Sequence, residues 1–84
     1  MQNRYIDSMV ENMPVLRATV KMTQATLANK VGISRQSIVY IETGKRPMTW
    51  SLYLAMCCVF EQYEASKKLL ESFELFDKDF IKAI

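Results

Sequence analysis

The sequence predicts an all-α protein, a compact bundle of five to six helices. Three observations lead to this fold class. Apolar residues recur at spacings of three and four along most of the 84 residues. Gly32 and Gly44, the only glycines, stand just past predicted helix ends, where a left-handed backbone is needed. From Phe60 to Ile84 neither glycine nor proline interrupts the amphipathic pattern.

Two helices are predicted in the first twenty-one residues. The first covers 4–11 and the second 13–21. Pro14 is expected in the first turn of the second helix, where its missing N–H costs nothing, and Asn12 is the expected cap. The apolar faces are Tyr5, Ile6, Met9 and Val10 on the first helix, and Met13, Leu16 and Val20 on the second.

The next two predicted helices, 24–31 and 34–43, are short and cross each other. Thr23 and Ser34 precede them, and a hydroxyl at that position accepts a hydrogen bond from a free backbone N–H. Apolar residues occur only where two crossed helices must touch: Leu27, Ala28 and Val31, then Ile33 in the turn, then Ile38 and Ile41. This arrangement is a helix-turn-helix, which presents its second helix to the DNA major groove.

The remaining helices follow a loop over 44–48. Thr49 is the expected cap of a helix from Trp50 to Phe60. Its expected core face is Trp50, Leu54, Ala55 and Cys58. Beyond it, the apolar stripe is Leu69, Phe73, Phe76, Phe80 and Ile84, widened by Leu70 and Ile81. Asp77 is a candidate cap, so one helix or two remain open. We expect a single domain over 1–84, with a helix-turn-helix core (13–60) and a helical extension (61–84).

Charge is unevenly distributed along the chain, although the net charge is only +2. Residues 1–49 hold seven Lys or Arg against three acids, a net +4, and residues 50–84 hold four Lys against six acids, a net −2. A basic half with an acidic tail suits one face toward DNA and another turned away from it.

Composition argues against several function classes. The chain has no His, and its two cysteines, Cys57 and Cys58, are adjacent, too close for a relaxed disulfide and too few for a zinc site. We expect no metal, no cofactor and no enzymatic activity, since catalytic pairs and a glycine-rich phosphate loop are missing. No apolar run approaches 20 residues, so we expect a cytoplasmic protein without a membrane span.

Residues Leu16 to Phe60, roughly half of the chain, resemble the helix-turn-helix of Cro and the lambdoid repressors, also called the XRE family. The matching residues are Leu16-Arg17, Thr23-Gln24, Leu27-Ala28, Val31-Gly32, Ser34-Arg35-Gln36, Ile38, Ile41-Glu42, Gly44-Lys45 and Pro47. The resemblance implies a lambda-repressor-like fold and binding of double-stranded DNA. It says little about the operator.

The resemblance also implies roles for particular residues. Base contacts are expected from Ser34, Arg35, Gln36 and, one turn on, Tyr40, for which packing is an equal alternative. Arginine can bond guanine O6 and N7 together, and glutamine can bond adenine N6 and N7.

Three further residues are expected at DNA phosphates, and two inside the fold. The candidates for phosphate contact are Gln24, Lys45 and Arg46. By resemblance, Gln24 also braces Gln36. Arg17 and Glu42 fall where the family commonly has a partly buried ion pair, so Arg17 is not expected to touch DNA.

The function predicted from these features is a sequence-specific transcriptional regulator, a repressor that binds its operator as a homodimer. We expect the segment Phe76–Ile84 at the dimer interface. In the alternative, this tail folds back on its own domain. A second alternative is an antitoxin-like or regulatory module that keeps the motif and binds another protein through its C-terminal helix. Self-association of the tail distinguishes this module from a homodimeric regulator.

Overall fold

Five α-helices make up the computed structural model, which describes residues 2–75. They are α1 (Gln2–Thr19), α2 (Gln24–Val31), α3 (Arg35–Glu42), α4 (Trp50–Glu61) and α5 (Glu64–Ser72), and residues 2–75 contain no strand. Helix α1 packs against α3, α4 and α5. Helix α2 packs against α3 and α4, and α4 packs against α5. The predicted all-α class is confirmed. The tail positions from Phe76 to Ile84, with the candidate cap Asp77, lie outside the described residues.

Helix α1 is continuous, so the prediction of two helices over 4–11 and 13–21 is wrong. Its buried residues, Tyr5, Met9, Met13 and Leu16, are four, four and three apart and form one stripe. That stripe passes Pro14, which is exposed and lies inside the helix. Burial of the apolar stripe stabilises the helix by more than the loss of the one hydrogen bond that Pro14 removes. Asn12 is therefore not a cap, and its Nδ2 donates instead to the Ser8 carbonyl at 2.8 Å.

The three predicted N-caps are present. The hydroxyl oxygens of Thr23, Ser34 and Thr49 accept hydrogen bonds from the backbone N–H three residues on, at 3.0, 3.1 and 3.1 Å. Each cap residue has an extended backbone. These bonds satisfy N–H groups that a helix leaves unpaired, and they fix where α2, α3 and α4 begin.

Four of the five helices within residues 2–75 end in a left-handed turn, and only two of these turns use glycine. Gly32 and Gly44 have φ of +79° and +78°, as the sequence predicted, whereas Lys21 and Glu74 adopt φ of +56° and +58°. After each of the four, the next N–H bonds the carbonyl five residues back at 2.8–3.0 Å. The residues that follow Lys21 and Glu74 are the buried Met22 and Leu75. Burial of Met22 and Leu75 stabilises these two turns, although the left-handed backbone is strained for Lys21 and Glu74.

Helix α4 presents a different face to the core from the one predicted. Its buried residues are Tyr53, Met56, Cys57, Val59 and Phe60. Of the predicted face, Trp50, Leu54 and Ala55 are only half-buried, and Cys58 is exposed. The helix carries one charge, Glu61, so its sequence has no polar face from which the orientation can be read.

The two cysteines differ in environment, and the buried one is not Cys58, the residue on the predicted core face. Cys57 is buried and Cys58 is exposed, and both are free thiols. Burial raises the pKa of Cys57 to about 12, and a hydrogen bond with Tyr53 opposes this shift. Cys57 is therefore an inert core residue.

Residues 61–75 pack on the domain through α5. Leu70 and Leu75 are fully buried. The Tyr53 hydroxyl donates to the Leu75 carbonyl, and the Ser66 hydroxyl donates to the Phe60 carbonyl at 2.6 Å. The described part of the C-terminal extension is thus joined to α4 by hydrogen bonds as well as by apolar contact.

Replacing Lys21 by glycine is expected to stabilise the protein. The left-handed backbone at φ +56° strains a lysine but not a glycine, so we expect a gain of about 0.5–1 kcal/mol in the free energy of unfolding. Urea unfolding followed by circular dichroism measures it. Lys21→Ala is the control, since it removes the charge and keeps the strain. A gain of equal size in Lys21→Ala would contradict the strain explanation.

Candidate nucleic-acid interface

Helix α3 has one face buried in the core and one face open to solvent. Ile38 and Ile41 lie on the inner face and are 0% and 1% exposed. On the outer face Ser34, Arg35 and Gln36 are exposed at the helix start, and one turn on Tyr40 is 41% exposed, although it is aromatic. The helix thus offers its first turn and Tyr40 to a ligand.

A network of hydrogen bonds around Glu42 holds the end of α3. Arg17 Nε donates to Glu42 Oε2 at 2.7 Å, and Arg17 Nη2 donates to Glu42 Oε1 at 2.9 Å. The side chains are only 16% and 7% exposed. Arg17 Nη1 also donates to the Met22 carbonyl at 3.3 Å. The ion pair that the resemblance implies is therefore present, with the parallel geometry in which arginine binds carboxylate most strongly.

Gln24 joins the same network from the start of α2. Its Nε2 donates to Glu42 Oε1 at 3.2 Å, and Gln24 forms no described bond with Gln36, its implied partner. The first N–H groups of α2, on Gln24 and Ala25, precede its first helical hydrogen bond, from Leu27. Such groups favour an anion at a helix start. Helix α2 is therefore held to α3 at the point where its own free donors lie.

The loop after α3 folds back onto that helix. The backbone N–H groups of Lys45 and Arg46 both donate to the Tyr40 carbonyl, at 2.8 and 3.2 Å. Arg46 Nη1 then donates to Ser37 Oγ at 2.6 Å. The guanidinium of Arg46 consequently lies beside the first half of α3, although nine residues separate it from Ser37. Lys45 is exposed.

Ser37 is a polar residue of this surface that sequence reasoning missed. The signal was present, since it stands three residues after the N-cap Ser34 and the two hydroxyl oxygens are 2.9 Å apart. The spacing places them on one side of the helix. The sequence did not show that the loop arginine would reach the same place.

A cleft of about 320 Å³ lies between α1 and the loop that follows α3. Its apolar lining includes Val10, Ile41 and Met48, and two acids of α1, Asp7 and Glu11, line it together with Arg46. The acids are exposed. They place negative charge next to the basic loop on its α1 side, so the region favourable to phosphate ends there.

The comparison with protein families agrees with this geometry. A family model described as a helix-turn-helix domain matches residues 15–69. The chain belongs to this family of DNA-binding domains. No curated protein and no solved structure matches the chain. The match begins within α1, so most of that helix, with Asp7 and Glu11, lies outside it.

Within residues 2–75 no helix is both long and apolar enough to cross a bilayer, and no three His, Cys, Asp or Glu residues are grouped as metal ligands would be. The structure instead brings the predicted residues together around α3. Gln24 and Arg17 meet Glu42 at its end, and Arg46 meets Ser37 near its start. Arg35 and Gln36 stay exposed beside these contacts.

Replacing Arg17 by methionine is expected to act on folding. The change leaves the carboxylate of Glu42, which is 7% exposed, without its partner charge, and breaking a buried pair costs about 3–5 kcal/mol. The loss appears as a lower midpoint of urea unfolding. The double variant Arg17→Met, Glu42→Leu should lose less than Arg17→Met, because no charge is then left alone. An Arg17→Met protein that unfolds like the parent yet fails to bind DNA would instead make Arg17 a DNA contact.

Proposed function

We propose that this protein is a sequence-specific transcriptional regulator of the Cro and lambdoid-repressor kind, which inserts α3 into the major groove and represses by occluding a promoter. The observation that carries the proposal is that the candidate DNA groups are arranged around one helix. Arg46 and Gln24 are hydrogen-bonded to opposite ends of α3, whose outer face is open. A helix of this size fits the major groove of B-form DNA.

Base readout is assigned to the first turn of α3. Arg35 and Gln36 are exposed and stand next to the capping Ser34, where the helix start enters the groove. Arg35 is proposed to bond a guanine and Gln36 an adenine through paired hydrogen bonds. Tyr40 lies one turn further and is 41% exposed, which suits contact with a thymine methyl or a phosphate better than packing.

Phosphate binding is assigned to Gln24, Lys45 and Arg46. The amide nitrogen of Gln24 has a second hydrogen beyond the one given to Glu42, and the free N–H groups at the start of α2 lie beside it. Lys45 and Arg46 carry the charge of the loop that folds against Tyr40. Such contacts set the register of the protein on DNA and contribute salt-dependent affinity.

We propose that the regulator binds as a homodimer. The eight residues of α3 reach only a few base pairs, too few for useful discrimination in a genome. A two-fold dimer doubles the site, with half-sites about 34 Å apart on one side of the duplex. Residues 76–84 include four large apolar side chains, Phe76, Phe80, Ile81 and Ile84. We assign the dimer contact to this segment.

The proposal is tested by selecting bound sequences from a random DNA pool and measuring the mass of the complex. A two-fold-related consensus, bound by two chains, is the expected result. Recovery of no preferred sequence would remove the assignment as a sequence-specific regulator.

Arg35→Ala is expected to relax base preference at one position of each half-site. The loss at that position is about 1–3 kcal/mol, because a paired bond to guanine is missing. Lys45→Ala is the matched control. It should weaken all sequences equally and reduce the slope of log affinity against log salt by about one. Titration of fluorescent DNA at several salt concentrations measures both. Equal losses of Arg35→Ala on selected and random DNA would make Arg35 a phosphate contact.

Deleting residues 76–84 is expected to convert the dimer to a monomer with its fold intact. The cut follows Leu75, which is fully buried and whose carbonyl accepts the Tyr53 hydroxyl, so the described contacts remain. Sedimentation gives the mass, and circular dichroism checks the fold. A truncated protein that dimerises like the parent would show that the contact lies elsewhere. A parent chain that is monomeric would favour the module that binds another protein through its tail.

A further inference from the structure

Three polar groups form a hydrogen-bonded chain across the start of α3. Ser37 Oγ lies 2.9 Å from Ser34 Oγ and 2.6 Å from Arg46 Nη1. Ser34 Oγ also accepts from the Ser37 N–H at 3.1 Å. The N-cap of the helix is thereby connected, through one hydroxyl, to an arginine of the following loop.

One donor of this chain is fixed by its chemistry. A guanidinium only donates, so Ser37 Oγ accepts from Arg46. Between Ser37 Oγ and Ser34 Oγ, which are 2.9 Å apart, either hydroxyl can donate. Arg46 gives up one of its five N–H groups to this contact and keeps the other four. Those four include neighbouring pairs that match the oxygens of a phosphate.

The side chain of Arg46 has no stronger partner among the described residues. It takes part in none of the ion pairs of residues 2–75, although Asp7 and Glu11 line the same cleft. An exposed arginine that is not held samples many rotamers, and ordering it upon binding costs conformational entropy. The Ser37 hydroxyl removes part of this cost in advance.

We propose that Ser37 is a positioning residue for DNA recognition. It holds the Arg46 guanidinium beside the first turn of α3, so that the phosphate bound by Arg46 adjoins the bases faced by Arg35 and Gln36. Ser37 itself touches no DNA in this arrangement. The inference rests on the proposed function and adds to it a coupling between the loop and the recognition helix.

A double-mutant cycle tests the proposal on the full chain. The variants are Ser37→Ala, Arg46→Ala and both together, with Ser37→Thr as the conservative rescue and Ser51→Ala as the control at an exposed serine of α4. Affinity for the selected operator is measured by fluorescence titration, and stability by urea unfolding. Ser37→Ala leaves the Ser34 cap in place, because that cap uses the backbone N–H of Ser37.

Ser37→Ala is expected to weaken operator binding about fivefold, the effect of one hydrogen bond, with little change in the unfolding midpoint. The same substitution should change nothing in the Arg46→Ala background. Ser37→Thr should restore most of the affinity, and Ser51→Ala should bind like the parent.

Two results overturn the inference. One is a Ser37→Ala protein that binds like the parent, and the other is a loss that persists in full in the Arg46→Ala background. A parent that selects no DNA sequence is a different failure, since it overturns the proposed function and this inference with it. A parent that binds its operator, with additive variants, overturns the role of Ser37 alone.

Discussion

The carboxylate of Glu42 is the group on which the arrangement of the helix-turn-helix depends. Glu42 is the last residue of α3. Its carboxylate accepts two hydrogen bonds from Arg17 at the end of α1 and a third from Gln24 at the start of α2. Helices of eight residues, such as α2 and α3, are not stable alone in water. Their positions are therefore imposed by contacts with longer elements, and Glu42 joins three helices at one point.

Apolar and polar contacts fix different aspects of the position of α3. Ile38 and Ile41 are buried against α1 and α2 and set how deeply the helix lies, but apolar contact is not directional. Hydrogen bonds are directional. Those of Glu42 to Arg17 and Gln24 restrict rotation about the helix axis. Such restriction suits the proposed role of α3, in which the helix presents the same side chains to a groove each time it binds.

Much of this architecture could be predicted because its signals are local. Thr23, Ser34 and Gly32 mark the ends of α2 and the start of α3 within a few residues, and the structure has caps at these places. Features set by distant parts of the chain could not be predicted. Pro14 signalled a helix start, yet the apolar stripe of α1 runs past it and is buried along its length.

The orientation of α4 could not be predicted, for a related reason. A helix with apolar residues on every side has no sequence signal for its inner face, and here the position of Tyr53 against Tyr5 and Leu75 decides it. The left-handed turns at Lys21 and Glu74 lacked the glycine that would have marked them. The bond from Arg46 to Ser37 joins a loop to a helix across nine residues, and no local pattern encodes it.

The candidate interface separates residues that support the fold from residues that are proposed to read DNA. Gln24 is tied to the end of α3 through Glu42, so a change there affects the scaffold as well as any phosphate contact. Arg35 and Gln36 are exposed and make no side-chain hydrogen bond or ion pair with the described residues. Substitution at exposed positions without such contacts changes stability little. The proposed sequence preference of this domain can therefore change at two positions while the helices that hold them stay as they are.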